Sequence, residues 1–126
     1  MIEVSGLSFN YNRSSSLSFP DFIAERGSHT LLLGESGSGK TTLLHVLGGL
    51  LRQYSGSVKV DGTELSGLSE SALDQFRGQR IGYIFQKNHL ISALTVEQNL
   101  KLAPYLAGIP NSSARISEVL QNLALL

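Results

Sequence analysis

An eight-residue stretch, Gly34 to Thr41 (Gly-Glu-Ser-Gly-Ser-Gly-Lys-Thr), carries glycines, hydroxyls and one lysine at the spacing G-x-x-x-x-G-K-[ST]. Its three glycines let the backbone adopt φ values that are costly for other residues, so that successive N–H groups form a nest for an anion. A helix that starts near Lys40 adds the unpaired N–H groups of its first turn and the positive end of its dipole. The stretch therefore predicts a loop that binds the phosphates of a nucleotide.

The side chains at the end of this loop have separate predicted roles. Lys40 bridges the β- and γ-phosphates as a point charge, and the Thr41 hydroxyl ligates the Mg²⁺ that accompanies them. The Thr42 hydroxyl is placed to hydrogen-bond the α-phosphate. The predicted nucleotide-binding set is Gly34, Glu35, Ser36, Gly37, Ser38, Gly39, Lys40, Thr41 and Thr42.

The elements around the loop are those that it needs for support. Residues 30–33 form a short unbroken apolar run, typical of a parallel strand with both faces buried, and they lead directly into the loop. Residues 40–51 have the apolar spacing of a buried helix, in which Gly48-Gly49 indicates either close packing or an early end. Upstream, residues 2–9 and 17–23 predict two antiparallel strands joined by a polar loop.

Further elements are predicted downstream of the loop helix. Residues 57–60 predict a strand that enters a hairpin turn at Asp61-Gly62, because this dipeptide tolerates positive φ. The other predicted elements are a helix over 69–79 capped by Ser69, a buried strand over 81–85, a helix over 95–107, a break at 108–111 with Pro110 and an Asn111 cap, and a helix over 112–126.

Composition limits the classes of chemistry and partner. The 126 residues are about one domain's worth, and ten Lys plus Arg balance ten Asp plus Glu, so no whole-chain field attracts nucleic acid. The absence of cysteine excludes disulfides, thiolate metal sites and cysteine nucleophiles. No apolar run approaches the roughly 20 residues that span a bilayer. The ending Leu125-Leu126, without a C-cap glycine, predicts that the chain is the front part of a longer protein.

Other classes of phosphate-binding protein match less well. A GTPase is expected to contain D-x-x-G and N-K-x-D, and neither string occurs in the sequence. A dinucleotide fingerprint is also incomplete, because Thr42 stands where its third glycine would be. A small-molecule kinase remains open, since its substrate-binding residues follow no single motif.

Three features, in this order and spacing, resemble the ATP-binding subunit of ABC transporters. They are an aromatic residue, Tyr11, in an N-terminal strand loop, the stretch Gly34 to Thr42, and Ile84-Phe85-Gln86 leading to Leu94-Thr95-Val96. The sequence around Gln86 is most similar to the branch that serves lipoprotein release and macrolide export. The resemblance covers the whole chain, but only the front half of the family's domain.

The resemblance implies a fold and a division into domains. The expected class is α/β: a phosphate-loop NTPase core with parallel strands and an N-terminal antiparallel β subdomain, followed by the start of a helical subdomain. Residues 1–86 would form the partial core, and residues 87–126 would form the exit of the glutamine loop and the first helices.

The resemblance also implies roles for individual residues. Tyr11 would stack on adenine, and Gln86 would touch Mg²⁺ and the attacking water. The expected metal ligands are therefore Thr41 and Gln86. The expected catalytic residues are Lys40 and Gln86. We interpret His45 and His89 as packing or surface residues. Asp61 is interpreted as turn chemistry, and Leu65-Ser66-Gly67-Leu68-Ser69 as a coincidental echo of the family signature, which follows the glutamine loop.

Cofactors, partners and location follow from the same resemblance. It implies ATP and Mg²⁺, a second ATP-binding subunit arranged head to tail, transmembrane permease subunits that contact residues 87–106, and a cytoplasmic location on the inner face of the plasma membrane. The family's signature motif, its Asp-Glu strand and its switch histidine are absent from these residues. Since loss of a general base costs about 10² to 10⁴ in rate, the chain alone is expected to bind ATP with little or no turnover.

Two alternatives stay open beside an ABC-type ATPase. One is a soluble phosphate-loop kinase, and the other is a nucleotide-sensing module without turnover. Transfer of phosphate to an added acceptor would identify the first, and tight binding without hydrolysis in the full-length dimer would identify the second.

Overall fold

The chain divides into two compact units, which are described separately. The computed structural model describes residues 1–110 and 112–126, so the predicted Asn111 cap lies outside the described residues. The first unit is Met1–Leu73 and the second is Asp74–Leu126. The predicted domain boundary after residue 86 stays a prediction.

An antiparallel sheet forms the frame of the first unit. Its longest strand, β1 (Ile2–Asn12), pairs with β2 (Ser15–Ser18) and β3 (Phe22–Ala24) at its two ends and with β4 (Tyr54–Val60) along its other edge. β5 (Thr63–Glu64) extends the sheet beyond β4. The predicted antiparallel pairing at the N terminus is confirmed, with the second predicted strand divided into β2 and β3.

A β-bulge shifts the register between β1 and β4. The pairing slips between residues 5 and 8, where Gly6 has φ 59° and the facing Gly56 has φ 95°. A Cβ on Gly56 would lie 2.3 Å from the Gly6 carbonyl oxygen, so only glycine fits there. The Gly6 amide, which the bulge removes from the ladder, donates to Asp21 Oδ1 at 2.7 Å.

The core of the first unit lies between this sheet and one helix. α1 (Lys40–Leu47) ends at its glycine pair, earlier than residue 51, and Gly49 has φ 70°. Because of the bulge, the inward positions of β1 are spaced three and then two residues apart. The buried apolar residues are Val4, Leu7, Phe9, Leu43, Val46, Val58, Val60, Leu65 and Leu73.

The turn after β4 has the predicted chemistry. Asp61 and Gly62 have φ 47° and 80°, and they connect β4 to β5 as a tight hairpin. The next residues, Leu65–Gly67, form a 3₁₀ turn in which Leu65 is buried. The segment that echoes the family signature is therefore a structural connection.

The two predicted parallel strands are not strands in this structure. Residues 30–33 and 81–85 have no strand partner among the described residues, and the sheet is antiparallel throughout. Leu31, Leu33 and Ile84 are 79%, 80% and 97% exposed. Apolar composition favours a buried strand only where neighbouring strands offer backbone hydrogen bonds and layers cover both faces, and here neither is present.

Two of the remaining helices begin directly after a residue whose side chain caps them, and the last helix is shorter than the predicted 112–126. α2 (Glu70–Arg80) starts after Ser69, whose Oγ accepts from the Ala72 amide at 3.2 Å. α3 (Val96–Leu106) starts with a capping box between Thr95 and Gln98, and α4 (Ser113–Asn122) follows. Within the ranges described, no helix combines the length and apolar character that crossing a bilayer requires.

Candidate functional site

The glycine loop leaves backbone donors without acceptors at the start of α1. The Ser38 amide donates to the Glu35 carbonyl oxygen at 3.1 Å and closes a turn. Across residues 1–110 and 112–126, the amides of Gly37, Gly39, Lys40 and Thr41 have no backbone acceptor. Since the loop is solvent-exposed, these N–H groups are available to an anion at the positive end of the helix dipole.

Gly39 holds the loop against β2 and the residue that follows it. It is the N-cap of α1 with φ 95° and ψ 12°, a left-handed conformation that side chains rarely adopt. A Cβ on Gly39 would lie 2.8 Å from Leu17 Cδ1 and 3.4 Å from the Phe19 ring. The last glycine of the motif is therefore needed both for its backbone conformation and for its close approach to neighbouring side chains.

The Lys40 side chain bends back over the loop that precedes it. Its ammonium donates to the carbonyl oxygens of Gly34 and of Glu35, the latter at 2.8 Å, and lies 3.5 Å from Ser38 Oγ. All three acceptors are solvent-exposed. The positive charge is thus already held at the mouth of the loop, where phosphate oxygens can replace neutral acceptors.

The two threonines after Lys40 have different environments. Thr41 is exposed, whereas Thr42 is only 7% exposed and its hydroxyl is hydrogen-bonded to the Tyr11 hydroxyl. The Tyr11 ring is 57% exposed, and it meets the edge of Phe9 at a centroid distance of 4.9 Å and an angle of 77°. The structure therefore brings together the predicted stacking residue and the predicted α-phosphate residue.

Gln86 belongs to the second unit. It lies in an exposed segment without regular structure, directly after Phe85. His89 follows in the same segment, with its ring 4.4 Å from Phe85. His45 lies on α1 and is half-buried. The roles predicted for Gln86 remain predictions.

Binding of Mg²⁺ would depend on hydroxyl and amide oxygens of the protein and on the phosphate oxygens of the nucleotide. Within the described ranges, no group of three His, Asp or Glu side chains could hold a metal ion. A Mg²⁺ site with few protein ligands still fits the residues present, because Mg²⁺ keeps several waters and is commonly bound through substrate phosphates. The exposed Thr41 hydroxyl, in the first turn of α1, is a donor of the required kind.

Asn99 is a residue whose importance the sequence analysis missed. Its side-chain nitrogen donates to the carbonyl oxygens of Ile91, Leu94 and Thr95 at 3.1, 3.2 and 3.0 Å. Its Oδ1 accepts from the Ile91 amide at 2.8 Å. These four bonds hold the segment before α3 to the helix. An asparagine in the first turn of a capped helix is the only sequence signal for this role.

Comparisons with known sequences find proteins similar to this chain. Residues 17–126 match the family model described as "ABC transporter". The chain is 40% identical over 103 residues to the bacitracin export ATP-binding protein BceA of Halalkalibacterium halodurans, covering 82% of this chain and 41% of that protein. It is 42% identical over 103 residues to the macrolide export ATP-binding/permease protein MacB of Mannheimia succiniciproducens, covering 80% of this chain and 16% of that protein.

A third relative spans almost the whole chain. The lipoprotein-releasing system ATP-binding protein LolD of Bacteroides fragilis is 32% identical over 127 residues, covering 99% of this chain and 59% of that protein. The chain thus spans 16 to 59% of the length of these three relatives.

Solved structures show the same architecture. The ATP-binding cassette MJ0796, in a dimeric post-hydrolysis state bound to ADP and Pi, superposes with a TM-score of 0.77 at 26% identity. The match covers 85% of this chain and 48% of that one. A second dimeric structure of MJ0796, titled a bacterial ABC transporter cassette, gives a TM-score of 0.77 at 27% identity.

Proposed function

The chain belongs to the ABC transporter family, and from this premise we propose that it is an ATP-binding part of a transporter and binds Mg·ATP through residues 34–42. The observation that carries the proposal is the group of amides without a backbone acceptor at Gly37, Gly39, Lys40 and Thr41, with the Lys40 ammonium held beside them. This combination provides directed N–H donors and one positive charge at a helix N-terminus, which suits a polyphosphate.

The phosphates would occupy the loop in a defined order. Lys40 exchanges its loop carbonyl acceptors for β- and γ-phosphate oxygens, and Thr42 donates to the α-phosphate. Glu35, Ser36 and Ser38 line the exposed outer part of the loop. This order is consistent with the position of Thr42 beside Tyr11, because the α-phosphate is the one nearest the nucleoside.

The adenine base would stack on Tyr11. More than half of this ring's surface is exposed while its hydroxyl is anchored at Thr42, so an open π-face lies beside the loop. Stacking of a base on an aromatic ring contributes roughly 1 to 3 kcal/mol. That MJ0796 has been solved with ADP supports an adenine nucleotide as the ligand class.

Hydrolysis in the whole protein would need Mg²⁺ and a second subunit. We assign Thr41 and Gln86 to hold the metal ion, which supplies charge neutralisation at the phosphates. Lys40 stabilises the charge that develops on the γ-phosphate, and Gln86 orients the attacking water. The dimeric state of MJ0796 supports a pair of subunits, and we propose that they are arranged head to tail.

The exposed apolar runs 30–33 and 81–85 are proposed to be strands of a parallel sheet in the whole protein. Exposure of these apolar side chains to water is unfavourable, and the relatives are longer than this chain. Additional chain would supply the neighbouring strands and cover both faces.

The partners proposed are transmembrane permease subunits, which residues 87–106 would contact at the inner face of the plasma membrane. The name of MacB joins ATP-binding and permease functions in one protein, which supports this pairing. The similarity to BceA and LolD favours the branch that exports or releases compounds at the cell envelope.

Isothermal titration calorimetry of the full-length protein with Mg·ATP tests the proposal. We expect saturable binding with one nucleotide per subunit, competition by ADP, and phosphate release into water. Absence of binding would contradict the proposed function. Phosphate transfer to an added acceptor would instead support the kinase alternative.

A further inference from the structure

The hydroxyl groups of Tyr11 and Thr42 form a hydrogen bond that sequence reasoning does not predict. The two residues are 31 positions apart, on β1 and on the first turn of α1. Thr42 is the only buried polar residue among those described, and its hydroxyl has this phenol as its partner. A contact between a strand and a nucleotide-loop helix at this position ties the base-binding and phosphate-binding parts of the site together.

The chemistry of a phosphate oxygen gives this contact a direction. Either hydroxyl can be the donor in the protein alone. Because phosphate oxygens are acceptors only, Thr42 must donate its single proton to the phosphate when nucleotide is bound. The Thr42 oxygen then has only lone pairs left for Tyr11, so Tyr11 must be the donor.

We propose that Tyr11 is a positioning residue, whose hydroxyl donates to Thr42 and thereby aims the Thr42 proton at a nucleotide phosphate. This inference rests on the proposed function and assigns the Tyr11 hydroxyl a task separate from that of its ring. The ring contacts the base, whereas the hydroxyl acts through Thr42 on the phosphate.

Two features support this division. The edge contact between Tyr11 and Phe9 fixes the ring that carries the hydroxyl. In a chain of hydrogen bonds, the first bond also polarises the second, so donation by Tyr11 strengthens donation by Thr42.

A double-mutant cycle in the full-length protein tests the relay. Wild type, Tyr11→Phe, Thr42→Val and the double variant are titrated with Mg·ATP and with Mg·triphosphate by calorimetry. Phenylalanine keeps the stacking ring and removes only the hydroxyl. We expect Tyr11→Phe to weaken both ligands by about three- to tenfold, the range of one hydrogen bond. In the Thr42→Val background the same change should have no further effect.

Two controls separate positioning from a general structural effect. Thr42→Ser retains the hydroxyl, so Tyr11→Phe should again weaken Mg·ATP in the Thr42→Ser background, as it does in wild type, whereas it should have no effect in the Thr42→Val background. The thermal unfolding midpoint of each variant is measured without nucleotide, so that affinities are compared only between folded proteins.

The results that contradict the relay differ from those that contradict ATP binding itself. Unchanged affinity in Tyr11→Phe, equal losses from Tyr11→Phe in the wild-type and Thr42→Val backgrounds, or no loss from Tyr11→Phe in the Thr42→Ser background would overturn the relay alone. Failure of wild type to bind Mg·ATP would overturn the proposed function and the relay with it.

Discussion

The Lys40 ammonium lies 2.8 Å from the carbonyl oxygen of Glu35, in the loop where the Gly37 and Gly39 amides have no backbone acceptor. The lysine therefore does not extend into solvent, and its charge is placed before any ligand arrives. Its present partners are neutral oxygens, so exchange for charged phosphate oxygens gives a stronger, charge-assisted hydrogen bond.

Replacement of Lys40 by alanine should lower the affinity for Mg·ATP by roughly 10- to 100-fold, the value of one hydrogen bond to a charged group. Calorimetry measures the loss. Lys59→Ala is the matched control, because Lys59 is an exposed lysine of β4 outside the loop. Equal affinity of Lys40→Ala and wild type would remove Lys40 from the binding site.

Gly39→Ala should destabilise the loop and weaken nucleotide binding. Alanine at φ 95° is strained, and its methyl group would collide with Leu17, so we expect a loss of about 2 kcal/mol in unfolding free energy. Urea unfolding measures this value. Gly67→Ala is the control, since a Cβ there meets no atom within 4 Å. Similar losses for both variants would argue against a special requirement at Gly39.

Tyr11→Ala should weaken Mg·ATP more than it weakens Mg·triphosphate. The ATP complex loses base stacking in addition to the hydroxyl contact, and stacking contributes roughly 1 to 3 kcal/mol. The ratio of the two dissociation constants is the measurement, and Tyr11→Phe should leave that ratio unchanged. A constant ratio in Tyr11→Ala would exclude stacking on this ring.

Asn99→Asp should loosen the segment before α3. Aspartate keeps an acceptor for the Ile91 amide, but it removes the donors to three carbonyl oxygens and places negative charge among them. Hydrogen exchange of amides 91–95 should accelerate, with a loss of about 1 to 3 kcal/mol in local stability. Asn122→Asp, at the end of α4, is the control. Unchanged exchange would contradict this role for Asn99.

The free energy of unfolding should decrease in acid as Glu64 loses its negative charge. Burial raises the pKa of Glu64, but hydrogen bonds from Ser57, from the Val58 amide and from Ser66 outweigh it and hold the pKa below its ordinary value. Because the folded-state pKa is depressed, the stabilisation is present above the unfolded pKa of about 4.3 and is lost as pH falls through the folded value.

Glu64→Gln tests this dependence by urea unfolding at neutral pH and near pH 3. We expect the variant to be less stable than wild type by about 1 kcal/mol at neutral pH, and the difference to shrink in acid. Glu25→Gln, at an exposed position, is the control. A difference that is the same at both pH values would mean that the ionisation of Glu64 does not stabilise the fold.

Much of the local structure could be predicted because its causes act over a few residues. Three helix starts follow from the glycine-lysine motif at Lys40 and from the caps at Ser69 and Thr95. The Asp61-Gly62 turn follows from the φ values that these residues tolerate. The phosphate loop likewise depends on glycines and on a helix start within the same eight residues.

The tertiary structure decided which distant residues meet and which apolar runs are covered. It joined Tyr11 to Thr42, which are 31 positions apart in sequence. It also left residues 30–33 exposed, although their composition is that of a buried strand. A hydrogen-bonding preference is a property of a residue and its neighbours in sequence. Burial and side-chain contact, in contrast, exist only where another segment of chain lies alongside, and local sequence does not specify that segment.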